Sequence, residues 1–184
     1  ERIRNLRVGD AIAKDTEIGP VVDAGQLKQD TDYIEIGKNE GARLVVGGDL
    51  VTRDNPGFFL QPALFTEVNN DMRIAREEIF GPVAALIPFD GEEEAIALAN
   101  DTAYGLTAGL WTRDVGRALR VSARIEAGMV WVNTYRYIRW STPYGGFKAS
   151  GWGRENGVES LDGYLETRTT VISTTGRFAD AYAQ

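Results

Sequence analysis

Apolar and polar positions change rhythm several times along this chain, and each change predicts an element. Leu27, Thr31 and Ile34 recur on one face of a 3.6-residue period. Asp23 followed by Gln26 resembles a capping box and Gly41 is a stop signal, so a helix is expected over residues 24–40. ARLVV (42–46) reads as a strand ended by Gly47-Gly48. GFFLQPALFTEV (57–68) reads as extended, with Pro62 breaking it or marking an edge. A short helix is expected over 71–76. VAALI (83–87) is an uninterrupted apolar run, as expected of a strand covered on both faces.

The second half repeats the alternation. Ala95, Leu98 and Ala99 place a helix over 92–100, and AGLW (108–111) reads as a strand. Asp114 caps a helix with Val115, Ala118, Leu119 and Ser122 on one face and Gly128 just past its end. MVWV (129–132) reads as another buried strand. Residues 133–155 form a long loop rich in aromatics and glycine, the kind that is usually functional when it is ordered. A short helix near 158–161 and a β-branched strand, LETRTTVIST (165–174), follow, and the tail from Gly176 reads as loose. Strands alternating with helices give the expected fold class: α/β, with a largely parallel open sheet flanked by helices. Ligands of such sheets sit beyond the carboxyl ends of the strands. The loop after Val132 is therefore the first place to look.

Composition narrows the chemistry. The chain has 184 residues, which fits one domain or one domain plus an arm. A net charge of −7 argues against nucleic acid or an anionic membrane as the main partner. No apolar run approaches the roughly 20 residues of a membrane-spanning helix. With no secretory signal pattern either, the expected location is cytoplasmic. The sequence contains no Cys and no His. That removes disulfides, thiolate and imidazole metal sites, a cysteine nucleophile and a Ser-His pair. Glu1 is not an initiator Met, and ERIRNLRVGD reads like the tail of a helix already under way, so the expectation is a piece of a larger protein.

Three motifs invite a ligand. GWGRENG (151–157) does not qualify as a dinucleotide fingerprint: its spacing is G-x-G-x-x-x-G and no strand directly precedes it. PYGGFKASG (143–151) contains a tight turn whose glycines let backbone approach another surface, or simply let the loop pack on its own domain. EEIFGPV (77–83) sets two carboxylates and an aromatic before a Gly-Pro pair. A carboxylate can accept two hydroxyl hydrogens at once, which suits a sugar diol. A solvated Glu77, a core Phe80 and a Gly-Pro that ends a helix explain the same letters, and spacing alone does not separate the readings.

EEIFGPV, YGLTAGLWTRD (104–114), MVWVNTY (129–135) and PYGGFKASGWGRE (143–155) occur together, in this order and spacing, with IGPVVD and GFFLQPALF upstream. Together they closely resemble the C-terminal part of the NAD(P)-dependent aldehyde dehydrogenase superfamily. The resemblance runs to about Thr174. It implies that 1–164 is the later portion of a catalytic domain, 165–174 an oligomerisation strand and 175–184 a loose tail. It also implies that Glu78 accepts hydrogen bonds from the nicotinamide ribose of NAD or NADP, with Phe80 beside the nicotinamide and Glu77 as scaffold. Arg136, Ile138 and Tyr144 correspond to positions that commonly face the aldehyde. Arg136, Arg139 and Trp140 depart from the common pattern, and solvent exposure is the plain account of the two arginines.

In the family a cysteine thiolate attacks the aldehyde, hydride passes to NAD(P)+, and the thioester is hydrolysed. With no Cys in this chain, the resemblance implies a nucleophile outside it, an isolated chain without activity, and a whole protein that is a homodimer or homotetramer oxidising a small aldehyde. The competing expectation is a non-catalytic truncated relative that acts as an interaction or oligomerisation module.

Overall fold

The structure, a computed structural model, describes residues 1–176. Two compact units emerge: residues 1–103 with 114–126, and Tyr104–Arg113 with the chain from Ala127 onward. Each is described by itself.

The first unit is built on one long helix. The Asp23 carboxylate accepts the Gln26 backbone N–H at 2.8 Å and starts α1 (Ala24–Asn39). This is half of the expected box. The Gln26 side chain does not return to the cap but reaches Asp30 and the Ile79 carbonyl. Gly41, with φ +96°, follows the helix end in a conformation that favours glycine. β1 (Arg43–Val46) runs antiparallel to β2 (Ala63–Thr66), and β2 runs parallel to β3 (Val83–Ala85), so β2 is the central strand. Pro62 sits immediately before β2, where its missing N–H costs no ladder bond. The core gathers Ile34 of α1 with Leu60, Ala63, Phe65, Val68 and Ile79, plus Ile74 from the short α2 (Arg73–Arg76). Gly37 gives α1 its close approach: a Cβ there would meet Phe65 and Ile74 at 3.0–3.2 Å.

Expectation and structure part at β3. The apolar run 83–87 was expected to be covered on both faces. In this chain β3 lies at an edge of its sheet, Ala84 is exposed and Leu86 is 52% exposed. Continuous hydrophobicity marks apolar positions without fixing how many neighbours a strand has.

α3 (Glu92–Asn100) has the expected bounds, but its buried contact is Ile96 rather than the Ala95–Leu98–Ala99 row. α4 (Val115–Arg124) starts at Asp114, whose carboxylate takes the Arg117 N–H at 2.9 Å. Its expected apolar face is largely open, with Val115 and Leu119 exposed. The helix meets α3 through its arginines instead. Arg117 and Arg120 bridge Glu92, and Arg124 bridges Glu93.

The second unit holds two small ladders. β4 (Tyr104–Gly105) pairs antiparallel with β7 (Phe147–Lys148), and β5 (Thr107–Leu110) pairs parallel with β6 (Met129–Val132). The chain is thus α/β with open sheets. Gly128 is not a helix cap, since α4 ends at Arg124. It allows a close backbone approach, because a Cβ there would lie 1.8 Å from the Gly145 carbonyl oxygen. A 3₁₀ helix covers Val158–Gly163. Residues 165–174 join no helix or ladder and are exposed at every position. A strand needs a hydrogen-bonding neighbour, and the described residues offer this segment none. The expected tail beyond Gly176 lies outside the described residues.

Candidate functional site

The EEIFGPV segment leaves α2 with its side chains alternating in fate. Glu77 is held: both its oxygens take the Arg73 guanidinium at 2.8–2.9 Å, and the Tyr33 hydroxyl donates to it as well. These hydrogen bonds stabilise the charged form and hold its pKa down to about 2, Arg73 contributing most and Tyr33 next. Both oxygens of Glu77 are thus occupied within its own unit. Ile79 is buried in the core. Glu78 and Phe80, on either side of it, face out. Glu78 is exposed and makes no hydrogen bond or ion pair with any described residue. Phe80 is 81% exposed and sits at φ +61°, in the left-handed region that a bulky residue rarely adopts. Strain of this kind persists only where surrounding structure enforces it.

Side chains of α1 contact the backbone on either side of Phe80. The side-chain amides of Gln26 and Gln29 both donate to the Ile79 carbonyl at 2.8 Å. Asp30, 0% exposed, takes the Gln26 amide on Oδ1 at 2.6 Å, while its Oδ2 has no hydrogen-bond partner. Burial raises its pKa, with the Gln26 hydrogen bond opposing. A Cβ on Gly81 would lie 2.0–2.3 Å from the Asp30 carboxyl atoms, so only glycine fits there. No signal within seven letters could reveal this: Gln26 and Gln29 lie 53 and 50 residues before Ile79.

The long loop of the second unit is ordered by tryptophan and asparagine. Asn133, at φ +55°, exchanges two hydrogen bonds with the Thr112 backbone at 2.8–2.9 Å. The Trp131 indole donates to the Tyr137 carbonyl at 2.9 Å and meets Tyr135 edge-on, centroids 5.5 Å apart. Arg136 and Arg139 are exposed, as the plain account held, but each stacks on an aromatic. Arg136 lies over the Tyr135 ring at 5.8 Å. Arg139 lies over the Tyr137 ring at 5.1 Å and donates to its hydroxyl at 2.7 Å. Neither forms an ion pair with a described carboxylate. Ile138, between them, is also exposed. Tyr144 is half-buried, its backbone pinned to Glu155 by two bonds of 2.7 Å.

PYGGFKASG takes the reading of a loop packed on its own unit. The Gly146 carbonyl accepts from Arg154 and the Ser150 hydroxyl accepts the Gly105 N–H, each at 3.0 Å. No group of three or more Asp and Glu suited to a metal ion occurs among the described residues. No helix among the described residues is long and apolar enough to cross a membrane.

An aldehyde dehydrogenase family model matches residues 1–170. The chain belongs to the aldehyde dehydrogenase family. Betaine aldehyde dehydrogenase of Brucella anthropi is 45% identical over 174 residues, which is 94% of this chain and 36% of that protein. An aldehyde dehydrogenase of Enchytraeus buchholzi is 45% identical over 95% of this chain and 35% of its own length. A crystal structure of betaine aldehyde dehydrogenase from Staphylococcus aureus in complex with NAD+ covers all of this chain, with a TM-score of 0.94 at 36% identity, over 37% of that structure. The chain thus spans little more than a third of the length of these relatives.

Proposed function

We propose that this chain supplies part of an NAD(P)-dependent aldehyde dehydrogenase, and that Glu78 and Phe80 hold the reactive end of the dinucleotide. The observation that carries the reading is the contrast between two adjacent carboxylates. Glu77 is saturated by Arg73 and Tyr33, while Glu78 is presented bare beside a strained, outward-facing Phe80. Two free carboxylate oxygens match the two hydroxyls of a ribose, and an exposed ring offers a flat face to a nicotinamide. The group fits the residues present. When bound, it supplies the hydride acceptor; the chain's part is orientation. The family membership and the NAD+ complex of the Staphylococcus aureus relative support the assignment.

The nucleophilic cysteine of the reaction is supplied by residues outside these 184, since none of them is Cys. The substrate is an aldehyde met by the loop carrying Arg136, Ile138 and Tyr144. Two guanidinium groups over tyrosine rings, without acidic partners among the described residues, favour an aldehyde that bears a carboxylate. A quaternary ammonium aldehyde, the kind for which the bacterial relatives are named, would meet like charge there.

The test is Glu78→Gln in the whole enzyme. It should slow single-turnover hydride transfer by about 10–100-fold while dinucleotide affinity changes by less than about 5-fold, because the carboxylate acts on orientation. An unchanged hydride rate would show that Glu78 does not touch the cofactor. A non-catalytic interaction module, the alternative, is tested by the same preparation: it would show no aldehyde oxidation at all.

A further inference from the structure

We infer that Gln26, Gln29 and Asp30 of α1 are positioning residues: a clamp that fixes the backbone of residues 79–81 and thereby sets the pose of Glu78 and Phe80. The inference rests on the proposed cofactor role of that pair and deepens it.

Four observations combine. One carbonyl, that of Ile79, receives two side-chain amides from successive positions of the helix face, each at 2.8 Å. The Gln26 amide nitrogen is shared with Asp30 Oδ1, so the carboxyl group orients the donor that orients the carbonyl. Gly81 closes on the same carboxyl group with no room for a Cβ. Phe80, caught between these two pinned residues, holds φ +61° while its ring stays exposed. An exposed ring buries too little surface to pay for a left-handed backbone by itself. The enforcement has to come through the backbone on either side, and α1 is what touches it. Asp30 is the member that packing alone does not explain. A fully buried carboxyl with one unpartnered oxygen is a costly way to fill space, and an apolar residue would fill it at less cost. What the carboxyl adds is an acceptor for the Gln26 amide.

The test uses the whole enzyme with Gln26→Leu and Gln29→Leu combined, and Glu78→Gln alongside. Two readouts are taken: cleavage after Glu78 by a glutamate-specific protease with no dinucleotide present, and single-turnover hydride transfer with it. A released segment should be cut about 10-fold faster or more, since cleavage needs local opening. Hydride transfer should slow about 10-fold, with dinucleotide affinity changed less than about 3-fold, as misplacement predicts. Asp30→Asn, which keeps an oxygen for the Gln26 amide, should behave nearly as wild type on both readouts, whereas Asp30→Leu should follow the double variant. Unchanged cleavage in the double variant overturns the clamp. Faster cleavage with a normal hydride rate overturns its positioning role if Glu78→Gln is slow. If Glu78→Gln is also normal, the cofactor role of Glu78 falls and the clamp stands as a backbone device. Should the double variant fail to fold, Gln29→Glu carries the same test at an exposed position, setting a carboxylate against the carbonyl in place of a donor.

Discussion

Arg136 and Arg139 show how a side chain can be exposed and still be placed. Each guanidinium lies over a tyrosine ring, Tyr135 and Tyr137 respectively, and Trp131 holds that stretch of loop through the Tyr137 carbonyl. Arg139 gives its Nε–H to the Tyr137 hydroxyl, which leaves its two terminal nitrogens to match a carboxylate. Arg139→Ala should therefore lower kcat/KM for an aldehyde carrying a carboxylate by about 10-fold or more, the loss of one charge-assisted bond. A neutral aldehyde of equal length should change less than about 3-fold on the same grounds. Equal losses for both substrates would mean that the arginine only shapes the loop. At this scale the sequence was partly legible. EEIFGPV sets the two glutamates side by side, yet which of them is held by its own unit follows from Arg73 and Tyr33, one four residues from Glu77 and one 44 residues away.

Between elements, the junction of α1 with the segment after α2 carries two carboxyl groups displaced in opposite directions, and this gives stability a pH signature. Glu77 has its pKa lowered from 4.5 to about 2 by Arg73 and Tyr33. Its contribution is present above about pH 4.5 and is lost as pH falls toward 2. Asp30 has its pKa raised above 3.8 by burial, so its native state holds a proton that the unfolded chain has released. That contribution is complete below pH 3.8 and is lost as pH rises through the folded value. In urea denaturation across pH, Glu77→Gln should flatten the acid limb, and Asp30→Asn should gain on wild type as pH rises above 3.8. A constant difference between Asp30→Asn and wild type from pH 3 to 8 would show that the buried carboxyl titrates as in the unfolded chain. Helices were the most legible elements, because Asp23 and Asp114 announce their starts by local chemistry. The faces of α4 and β3 were not, because periodicity marks apolar positions without naming what covers them: Val115, Leu119 and Leu86 are exposed.

Over the whole molecule, the least legible feature is the stretch 165–174. Its letters have the β-branched alternation of a strand, Thr167, Thr169 and Val171 against Arg168, Thr170 and Ile172. Its surroundings are those of a loop: Leu165, Val171 and Ile172 are all exposed, and no strand among the described residues pairs with it. Propensity and context conflict, and consistency between them is the ordinary condition of a folded element. The conflict is resolved if the ladder partner belongs to another subunit. Pairing would satisfy the row of backbone donors and acceptors and cover the apolar side chains in one step. The whole enzyme should then be a dimer or tetramer that dissociates when the chain is ended after Tyr164, as read by light scattering over a range of concentrations. Replacing Val171 and Ile172 with lysine should weaken the assembly in the same direction, since charge on a pairing strand opposes edge association. Thr167→Pro, which removes one ladder N–H, separates the two possible causes: it weakens a β-augmented joint but leaves a purely side-chain contact intact. A truncated enzyme that keeps its oligomeric state would place the joint elsewhere and leave 165–174 as surface chain.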